Sequence, residues 1–238
     1  MADQAVFQRF ELKYMLTCAQ REKILQAMAP YMRPDKFGRT TICNLYFDTD
    51  DYRLIRRSIE KPAYKEKLRL RSYGKATADS KTFVEMKRKY DGVVYKRRVS
   101  MPEAKAMDWL AGMQKPADTQ INREIDYFLG FYQTLKPRVF LSYERQAYYA
   151  KDDSGFRITF DDTILCRQTD LSLQSAAYGT PILPEGKVLM EVKCAGGIPL
   201  WLTEVLSREK IYKTSFSKYG TVYQTVIYPK LKEMAHHA

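Results

Sequence analysis

Four cationic side chains occupy alternate positions in the segment YKEKLRLRSYG, at residues 64–74. They are Lys65, Lys67, Arg69 and Arg71. Alternate side chains of a strand point to opposite faces of its sheet, so these four would share one face. Neighbouring like charges repel each other, and burial would raise that cost. The face therefore meets either solvent, as the charged face of an edge strand does, or something that compensates its charge.

The composition of the whole chain favours a polyanionic partner. Its 238 residues contain 40 Lys+Arg against 28 Asp+Glu, which gives a net charge of +12. This excess suits nucleic acid, a phosphate ester, polyphosphate or an acidic membrane surface, and charge alone does not choose among them. The hydrophobic fraction of 45% is enough for a sizeable core. We predict a single domain over residues 1–238.

Cysteine and histidine usage argues against a zinc site. The four cysteines form no CxxC pair, and both histidines lie in the C-terminal sequence EMAHHA. Free thiols in a reducing compartment are the simpler interpretation of Cys18, Cys43, Cys166 and Cys194. The N-terminus shows no apolar signal region, and no apolar run approaches ~18 residues. We therefore expect a soluble, cytoplasmic protein.

Hydrophobic patterning predicts many strands with a few helices between them. Thr17 and Gln20 predict a capping box at the start of a helix that ends near Met28, and Asn122 predicts a cap within the helical region 102–133. Further helices are predicted at DYRLIRRSIEK and near 199–209 and 217–232. The predicted strands are Phe7–Tyr14, ICNLYFD, 64–73, 81–90, 93–100, RVFLSYERQAYY, FRITFDDT, a separate ILCRQTDL and KVLMEVKC.

The other predicted strands alternate in the same way as residues 64–74. Charged residues share one face in FELKY, FVEMKRKY, VYKRRVS, FRITFDD and LMEVKC, and mainly apolar or aromatic residues share the other. A solvated sheet face explains any one of these strands. It explains less well why Ser, Asn and Gln are nearly absent from those faces. The pattern favours an antiparallel barrel whose charged interior is compensated by a polyanion and a divalent cation.

The motifs, taken in order, resemble a known family. FELKY, KLRLRSYG, FVEMKRK, VYKRRV, SYERQAY, RITFDD, LMEVK and FSKYG follow the order of the catalytic domain of the vacuolar transporter chaperone (VTC) polyphosphate polymerases, which belong to the triphosphate tunnel metalloenzymes. The resemblance covers about Phe7 to Tyr219. It implies an α+β fold, an eight-stranded antiparallel β-barrel tunnel with flanking helices. It also implies transfer of the γ-phosphate of ATP to a growing polyphosphate chain.

The resemblance assigns roles to individual residues. Glu191 would be the principal ligand of Mn²⁺ or Mg²⁺, which hard carboxylate ligands suit. The transferring group would be held by Arg69, Arg71, Arg145 and Lys218. Further phosphate contacts would be Lys13, Lys87, Lys96, Arg98 and Arg157. From the residues alone, Glu191 and Lys193 also fit a surface ion pair, and Lys218 fits a solvated helix start.

The sequence departs from the wider superfamily at one motif. The superfamily begins with ExExK, whereas this chain has Arg9 in place of the first acid. The phosphate-sensing domain and transmembrane helices of the eukaryotic relatives do not appear in this sequence, which leaves regulation and any membrane protein partner open.

Three functions stay open at this stage: an ATP-dependent polyphosphate polymerase, a tripolyphosphatase or nucleoside triphosphatase, and a non-catalytic polyphosphate-binding module. Polymerase and hydrolase differ mainly in the access of water to the tunnel. Nucleic-acid binding is disfavoured, because most strand aromatics lie opposite the cations.

Overall fold

The computed structural model of the chain describes residues 10–91, 93–152 and 154–236. Within these ranges the strands are β1 Phe10–Thr17, β2 Met32–Pro34, β3 Thr40–Asp48, β4 Tyr64–Tyr73, β5 Lys81–Tyr90, β6 Val93–Pro102, β7 Lys136–Ala150, β8 Arg157–Arg167, β9 Thr180–Pro181 and β10 Lys187–Cys194. The α-helices are α1 Cys18–Met28, α2 Arg53–Ile59, α3 Glu103–Leu110, α4 Gln120–Tyr132, α5 Leu200–Arg208, α6 Lys218–Val222 and α7 Tyr228–His236. A π-helical turn, Tyr223–Ile227, joins the last two helices.

The strands form one sheet with an eight-membered hydrogen-bonded path. Its order is β1-β10-β8-β7-β3-β4-β5-β6, with β2 paired to β7 and β9 paired to β8 off the path. The pairings whose registers are defined are antiparallel. The predicted α+β class, with eight antiparallel strands and flanking helices, is confirmed.

Several predicted boundaries change in the structure. The first strand extends to Thr17, and its predicted residues 7–9 lie outside the described ranges. The capping box of α1 is confirmed, because Thr17 Oγ1 accepts from the Gln20 backbone N–H and the Gln20 side chain accepts from the Thr17 backbone N–H. The cap predicted at Asn122 is wrong: Thr119 caps α4, and Asn122 lies inside the helix.

Two predicted segments have a different extent. The separate strand predicted at ILCRQTDL is wrong, because β8 continues from Arg157 to Arg167 without a break. The helical region predicted at 102–133 is two helices, α3 and α4, separated by Pro116 and its neighbours. Proline lacks a backbone N–H and disfavours a helical conformation in the residue before it, which explains an interruption there.

The chain divides into two compact units. The first takes its described residues from Met1–Thr41, Tyr143–Ile164 and Leu183–Phe216, and the second from Ile42–Ser142, Leu165–Ile182 and Ser217–Ala238. The single domain expected from the sequence stays a prediction.

The first unit buries the even-numbered positions of its strands beneath two helices. Strand residues such as Leu16, Phe160 and Met190 pack in one cluster with Ile24 of α1 and Leu202 of α5. Because side chains alternate, the odd-numbered positions of β1, β8 and β10 lie on the opposite face, where the sequence places the charges. The predicted alternation is therefore observed within this unit.

The second unit repeats the arrangement around α3 and α4. Leu68 and Leu70 of β4 and Met86 of β5 are fully buried with Trp109 of α3 and Phe128 of α4. The odd-numbered residues of β4 and β5 point away from this core. Within the described part of the chain, no helix is both long and apolar enough to cross a membrane.

Candidate functional site

Four predicted phosphate ligands of the second unit surround one buried carboxylate. Glu85 of β5 lies directly opposite Arg69 of β4 and Arg98 of β6 in the sheet register. Arg71 and Lys96 lie two positions away on the same face of their strands. We call Glu85, Arg69, Arg71, Lys96 and Arg98 the Glu85 cluster. Alternation along three neighbouring strands is what brings these five side chains together.

Each carboxylate oxygen of Glu85 contacts two cations. Oε2 accepts from Arg69 Nε at 2.8 Å and lies 3.7 Å from Arg71 Nη1. Oε1 accepts from Arg98 Nε at 2.6 Å and lies 2.7 Å from Lys96 Nζ. Glu85 is only 2% exposed, so its charge depends on these partners.

The charges of the Glu85 cluster favour the binding of a further anion. Burial raises the pKa of Glu85, but Arg69, Arg71 and Lys96 together hold that pKa well below its usual range. Burial lowers the pKa of Lys96 to about 8, against the opposing effect of Glu85. Four cations thus share one carboxylate. A phosphate group brought to this face would meet an excess of positive charge and arginine forks that match its oxygens.

Tyr46 and Lys218 extend the Glu85 cluster. Tyr46 of β3 pairs with Arg69 in the register, accepts a hydrogen bond from Arg69 Nη1 at 3.2 Å and stacks on Tyr219. Burial raises the pKa of the Tyr46 phenol, but Arg69, Arg71 and Lys218 outweigh it and lower that pKa.

Lys218 is the first residue of α6, whose cap is Ser217. Ser217 Oγ in turn accepts from Lys67 Nζ at 3.1 Å.

Lys87 stands in a row of lysines beside this cluster. In the register it is opposite Lys67 of β4 and Lys96 of β6. Its side chain is exposed. The row adds positive charge to the face on which Glu85 lies, because Lys87 is two residues from Glu85 on the same strand.

The first unit holds a second group of predicted ligands around Glu191. Lys13 of β1 is directly opposite Glu191 of β10, and its Nζ lies 3.8 Å from Glu191 Oε1 and 3.2 Å from Glu11 Oε1. Arg145 Nη2 of β7 lies 3.2 Å from Glu191 Oε2. We call Glu191, Lys13, Glu11, Arg145 and Asp161 the Glu191 cluster.

Asp161 fixes the orientation of Arg145. Its two oxygens accept from Arg145 Nε and Nη2, both at 2.6 Å, and its side chain is fully buried. Burial lowers the pKa of Arg145, but Tyr143 and Asp161 raise it well above its usual value. The guanidinium is therefore a permanent cation with a fixed plane, as bidentate carboxylate pairs provide.

Two buried polar atoms near Glu191 have no hydrogen-bond partner among the described residues. They are Thr159 Oγ1, directly opposite Glu191 in the register, and Arg157 Nε, opposite Lys193. Buried polar groups normally form hydrogen bonds. An N–H donor and a hydroxyl that lack hydrogen-bond partners on one charged face are therefore consistent with a bound ligand. Arg157 also lies 4.8 Å from the centre of the Tyr149 ring.

The donor set around Glu191 fits a divalent metal only together with a substrate. Within residues 10–91, 93–152 and 154–236, no three His, Cys, Asp or Glu side chains form a metal-binding group. Glu191 offers one buried carboxylate, and Thr159, opposite it on the neighbouring strand, offers a hydroxyl without a hydrogen-bond partner among the described residues. Mg²⁺ is commonly held by one or two carboxylates and substrate phosphates. These oxygens fit a hard ion that arrives with phosphate ligands.

The structure brings most predicted residues into one of the two clusters. The exceptions are Lys87 and Lys218, which lie beside the Glu85 cluster, and Arg157, which lies on the Tyr149 ring. Sequence reasoning assigned no phosphate-binding or positioning role to Glu85, Asp161 and Lys193, although all three stand in the alternating motifs. Burial lowers the pKa of Lys193 to about 8, which Glu191 partly opposes.

Comparison with known proteins identifies one family and one fold. The VTC domain profile matches residues 8–227 of the chain. Among proteins with curated descriptions, none matches its sequence. An adenylate cyclase candidate from Bacillus halodurans is 14% identical, with a TM-score of 0.55, over 90% of this chain and 96% of its own.

A second solved structure shares the same fold. It is an adenylyl cyclase candidate from Hippeastrum with a dominant triphosphatase activity. It is 17% identical, with a TM-score of 0.52, and the match covers 92% of this chain and 96% of that protein. At these identities the likeness shows the fold alone, and it agrees with the predicted fold class.

Proposed function

The chain belongs to the VTC domain family, whose profile spans nearly all of it, and we propose from this that it is an ATP-dependent polyphosphate polymerase. The single observation that supports the proposal best is the Glu85 cluster, in which four cations surround one carboxylate. Such an excess of oriented positive charge on a sheet face suits a chain of phosphates. ATP and polyphosphate are therefore the proposed substrates.

The proposed reaction needs alignment and charge neutralisation more than acid–base chemistry. A terminal oxygen of polyphosphate forms a bond to the γ-phosphorus of ATP, the bond from that phosphorus to the β–γ bridging oxygen breaks, and ADP leaves. The attacking oxygen is already an anion, so no strong general base is needed. Charge on the transferring group is neutralised by positioned cations, which is the main protein contribution in phosphoryl transfer.

We assign roles to individual cations as the family membership implies. The role of holding the transferring group is assigned to Arg69, Arg71, Arg145 and Lys218. Lys13, Lys87, Lys96, Arg98 and Arg157 bind the other phosphates. Arginines suit the first role because their planar forks bind two phosphate oxygens at once.

The fold generally uses divalent metals, and we propose Mn²⁺ or Mg²⁺ with Glu191 as the principal protein ligand. When bound, the ion would neutralise charge on phosphate oxygens. Glu191 is 7% exposed and is flanked by Lys13 and Arg145. The lysine and arginine would hold its carboxylate in a fixed orientation when no ion is present.

A second candidate function is hydrolysis of the same substrates. The Hippeastrum protein of this fold has a dominant triphosphatase activity. In hydrolysis, water would take the place of the polyphosphate end as nucleophile. Both reactions use the same phosphate-binding cations.

One incubation distinguishes the proposed functions. Purified protein is mixed with ATP and Mn²⁺, and the products are separated on a polyphosphate gel beside a free-phosphate assay. A ladder of polyphosphate with ADP supports the polymerase. Phosphate without a ladder supports the hydrolase and contradicts the polymerase. Neither product, with tripolyphosphate still bound, supports a non-catalytic polyphosphate-binding module.

Metal and phosphate roles can be separated by two substitutions. Glu191→Gln keeps the side-chain shape but removes the charge that a hard cation requires. We expect a loss of turnover of at least about 100-fold, with tripolyphosphate binding largely kept. Arg69→Ala removes a fork from the Glu85 cluster, and we expect tripolyphosphate affinity to fall about tenfold or more.

Calorimetry with tripolyphosphate and turnover with ATP and Mn²⁺ measure this contrast. Matched controls are Glu204→Gln on the exposed side of α5 and Arg123→Ala on α4, which should change neither quantity. Full turnover in Glu191→Gln would remove Glu191 from its proposed role as metal ligand.

A further inference from the structure

A cavity in the first unit combines aromatic rings with cations. Its volume is about 520 Å³, within the range of small-molecule sites. It is formed where β2 pairs with the end of β7, and Phe37, Tyr149 and Phe156 provide its rings. Arg33 and Lys36 provide its cations.

Two of the three rings are open to solvent. Phe37 is 69% and Tyr149 is 38% exposed, whereas Phe156 is buried in the core. Lys36 Nζ lies 5.1 Å from the centre of the Phe37 ring. Exposed rings beside cations are the groups that bind nucleotide bases by stacking and their phosphates by charge.

The loop that carries Phe37 is tied to β7. The Asp35 backbone N–H donates to the Ala147 carbonyl at 2.8 Å, and Asp35 Oδ1 accepts from the Phe37 backbone N–H at 2.6 Å. Asp35 is thus already engaged in holding the turn. Phe37 is presented by a fixed loop, so its ring can act as a preformed surface.

Tyr149 also lies at the end of the charged face. It is four residues from Arg145 on β7, about 13 Å at the usual strand rise, and the two side chains share a face. The Arg157 guanidinium lies against its ring, and Arg157 is opposite Lys193 in the register. Cations therefore continue from the cavity toward Glu191 along one unit.

We propose that this cavity binds the base of a nucleoside triphosphate, whose phosphates extend over Arg157 toward the Glu191 cluster. The inference rests on the proposed function and adds a subsite to it. The base contacts the rings of both Tyr149 and Phe37, and Arg157 binds the phosphate nearest the nucleoside. Because every base has a flat face, stacking tolerates different bases, so ATP and GTP should bind alike.

Binding of ATP and of inorganic tripolyphosphate to the full chain tests the subsite. Calorimetry is done in EDTA, which prevents metal-dependent turnover, on Tyr149→Leu, Phe37→Leu and the unmodified protein. We expect each variant to lose between about fivefold and a hundredfold in ATP affinity and less than about twofold in tripolyphosphate affinity. Tyr127→Leu, an exposed tyrosine of the other unit, is the control and should change neither.

The outcomes separate the subsite from the proposed function. The nucleobase subsite is overturned if both variants lose as much affinity for tripolyphosphate as for ATP, or if neither variant loses affinity for ATP. Phe37 is largely exposed, so its variant keeps the test valid if Tyr149→Leu fails to fold. If tripolyphosphate does not bind at all, both proposals fail.

Discussion

Glu85 acts as an internal counter-charge for the cations that we propose to bind phosphate. Replacing it by Gln keeps the shape but leaves Arg69, Arg71, Lys96 and Arg98 to repel one another. Loss of one partner from a buried ionic group costs about 3 kcal/mol or more, so we expect Glu85→Gln to be clearly less stable without ligand. Tripolyphosphate should then restore more stability than it adds to the unmodified protein, because it replaces the missing negative charge.

Thermal melting with and without tripolyphosphate measures both effects of Glu85→Gln. Glu204→Gln is the control for a surface carboxylate. An unchanged melting temperature for ligand-free Glu85→Gln would show that the four cations do not depend on this carboxylate.

We predict that Lys193, which lies on the same strand face as Glu191, gives anion binding a pH dependence that a lysine of ordinary pKa would not. Its pKa is lowered to about 8, chiefly by burial. At pH 7 most of the Lys193 side chains carry the ammonium, and we expect it to contribute to anion binding. As the pH rises above 8 it loses its proton, and binding must restore that proton. At pH 9.5 we expect this loss of the proton to lower the affinity for tripolyphosphate about thirtyfold, if Lys193 stays protonated in the complex.

Lys193→Arg isolates the contribution of this residue, because arginine keeps its charge at pH 9.5. Calorimetry at pH 7.0 and pH 9.5 should show a smaller loss in the variant, while titration of the ligand itself affects both proteins equally. Equal losses in the two proteins would contradict the assignment of the pH dependence to Lys193.

At the residue scale, alternation predicts which face a charge occupies but not which partner it has. The sequence places Glu85 on the face of Lys87, and the structure shows Arg69 and Arg98 bound to it from neighbouring strands. That pairing depends on the register between β4, β5 and β6, which short motifs do not encode. For the same reason Asp161 was not predicted as the residue that orients Arg145.

The start of α4 gives a prediction at the scale of one element. Thr119 Oγ1 accepts from the backbone N–H of Asn122 at 3.2 Å and so satisfies one of the first free donors of the helix. We expect Thr119→Ala to lower the free energy of unfolding by about 1 kcal/mol, and Thr119→Ser to change it much less. Urea denaturation measures both. A Thr119→Ala variant as stable as the unmodified protein would show that this hydrogen bond contributes little.

Element boundaries were predictable where local signals agreed and wrong where tertiary contacts decided. Thr17 and Gln20 form a capping box from adjacent residues, and it was predicted correctly. The sequence DTQIN offers several candidate caps for α4, and the sequence alone did not choose Thr119. In β8, Thr163 has a positive φ of 46°, which resembles a turn, yet Ile164 and Cys166 are buried and Cys166 pairs with β9. Burial and pairing extend the strand through that position.

At the scale of the whole molecule, charge links ligand binding to stability. The chain carries a net charge of +12, and each unit gathers cations around its own buried carboxylates. Self-repulsion of this kind opposes the folded state, and an anion that binds only that state offsets it. Stability measured without ligand therefore underestimates the stability of the protein with its substrate.

The last prediction compares tripolyphosphate with sulfate as stabilising anions. Under the proposed function, tripolyphosphate would span several of the cations on one charged face, whereas a sulfate ion would contact few of them. At 100 times its dissociation constant a ligand adds about 2.7 kcal/mol of stability, so we expect tripolyphosphate to raise the melting temperature by several degrees. The gain should shrink when the salt concentration rises from 0.05 M to 0.5 M, because salt screens charges that solvent reaches. Thermal melting with both anions at matched ionic strength measures this, and an equal shift with sulfate would show a general salt effect instead of a phosphate-chain site.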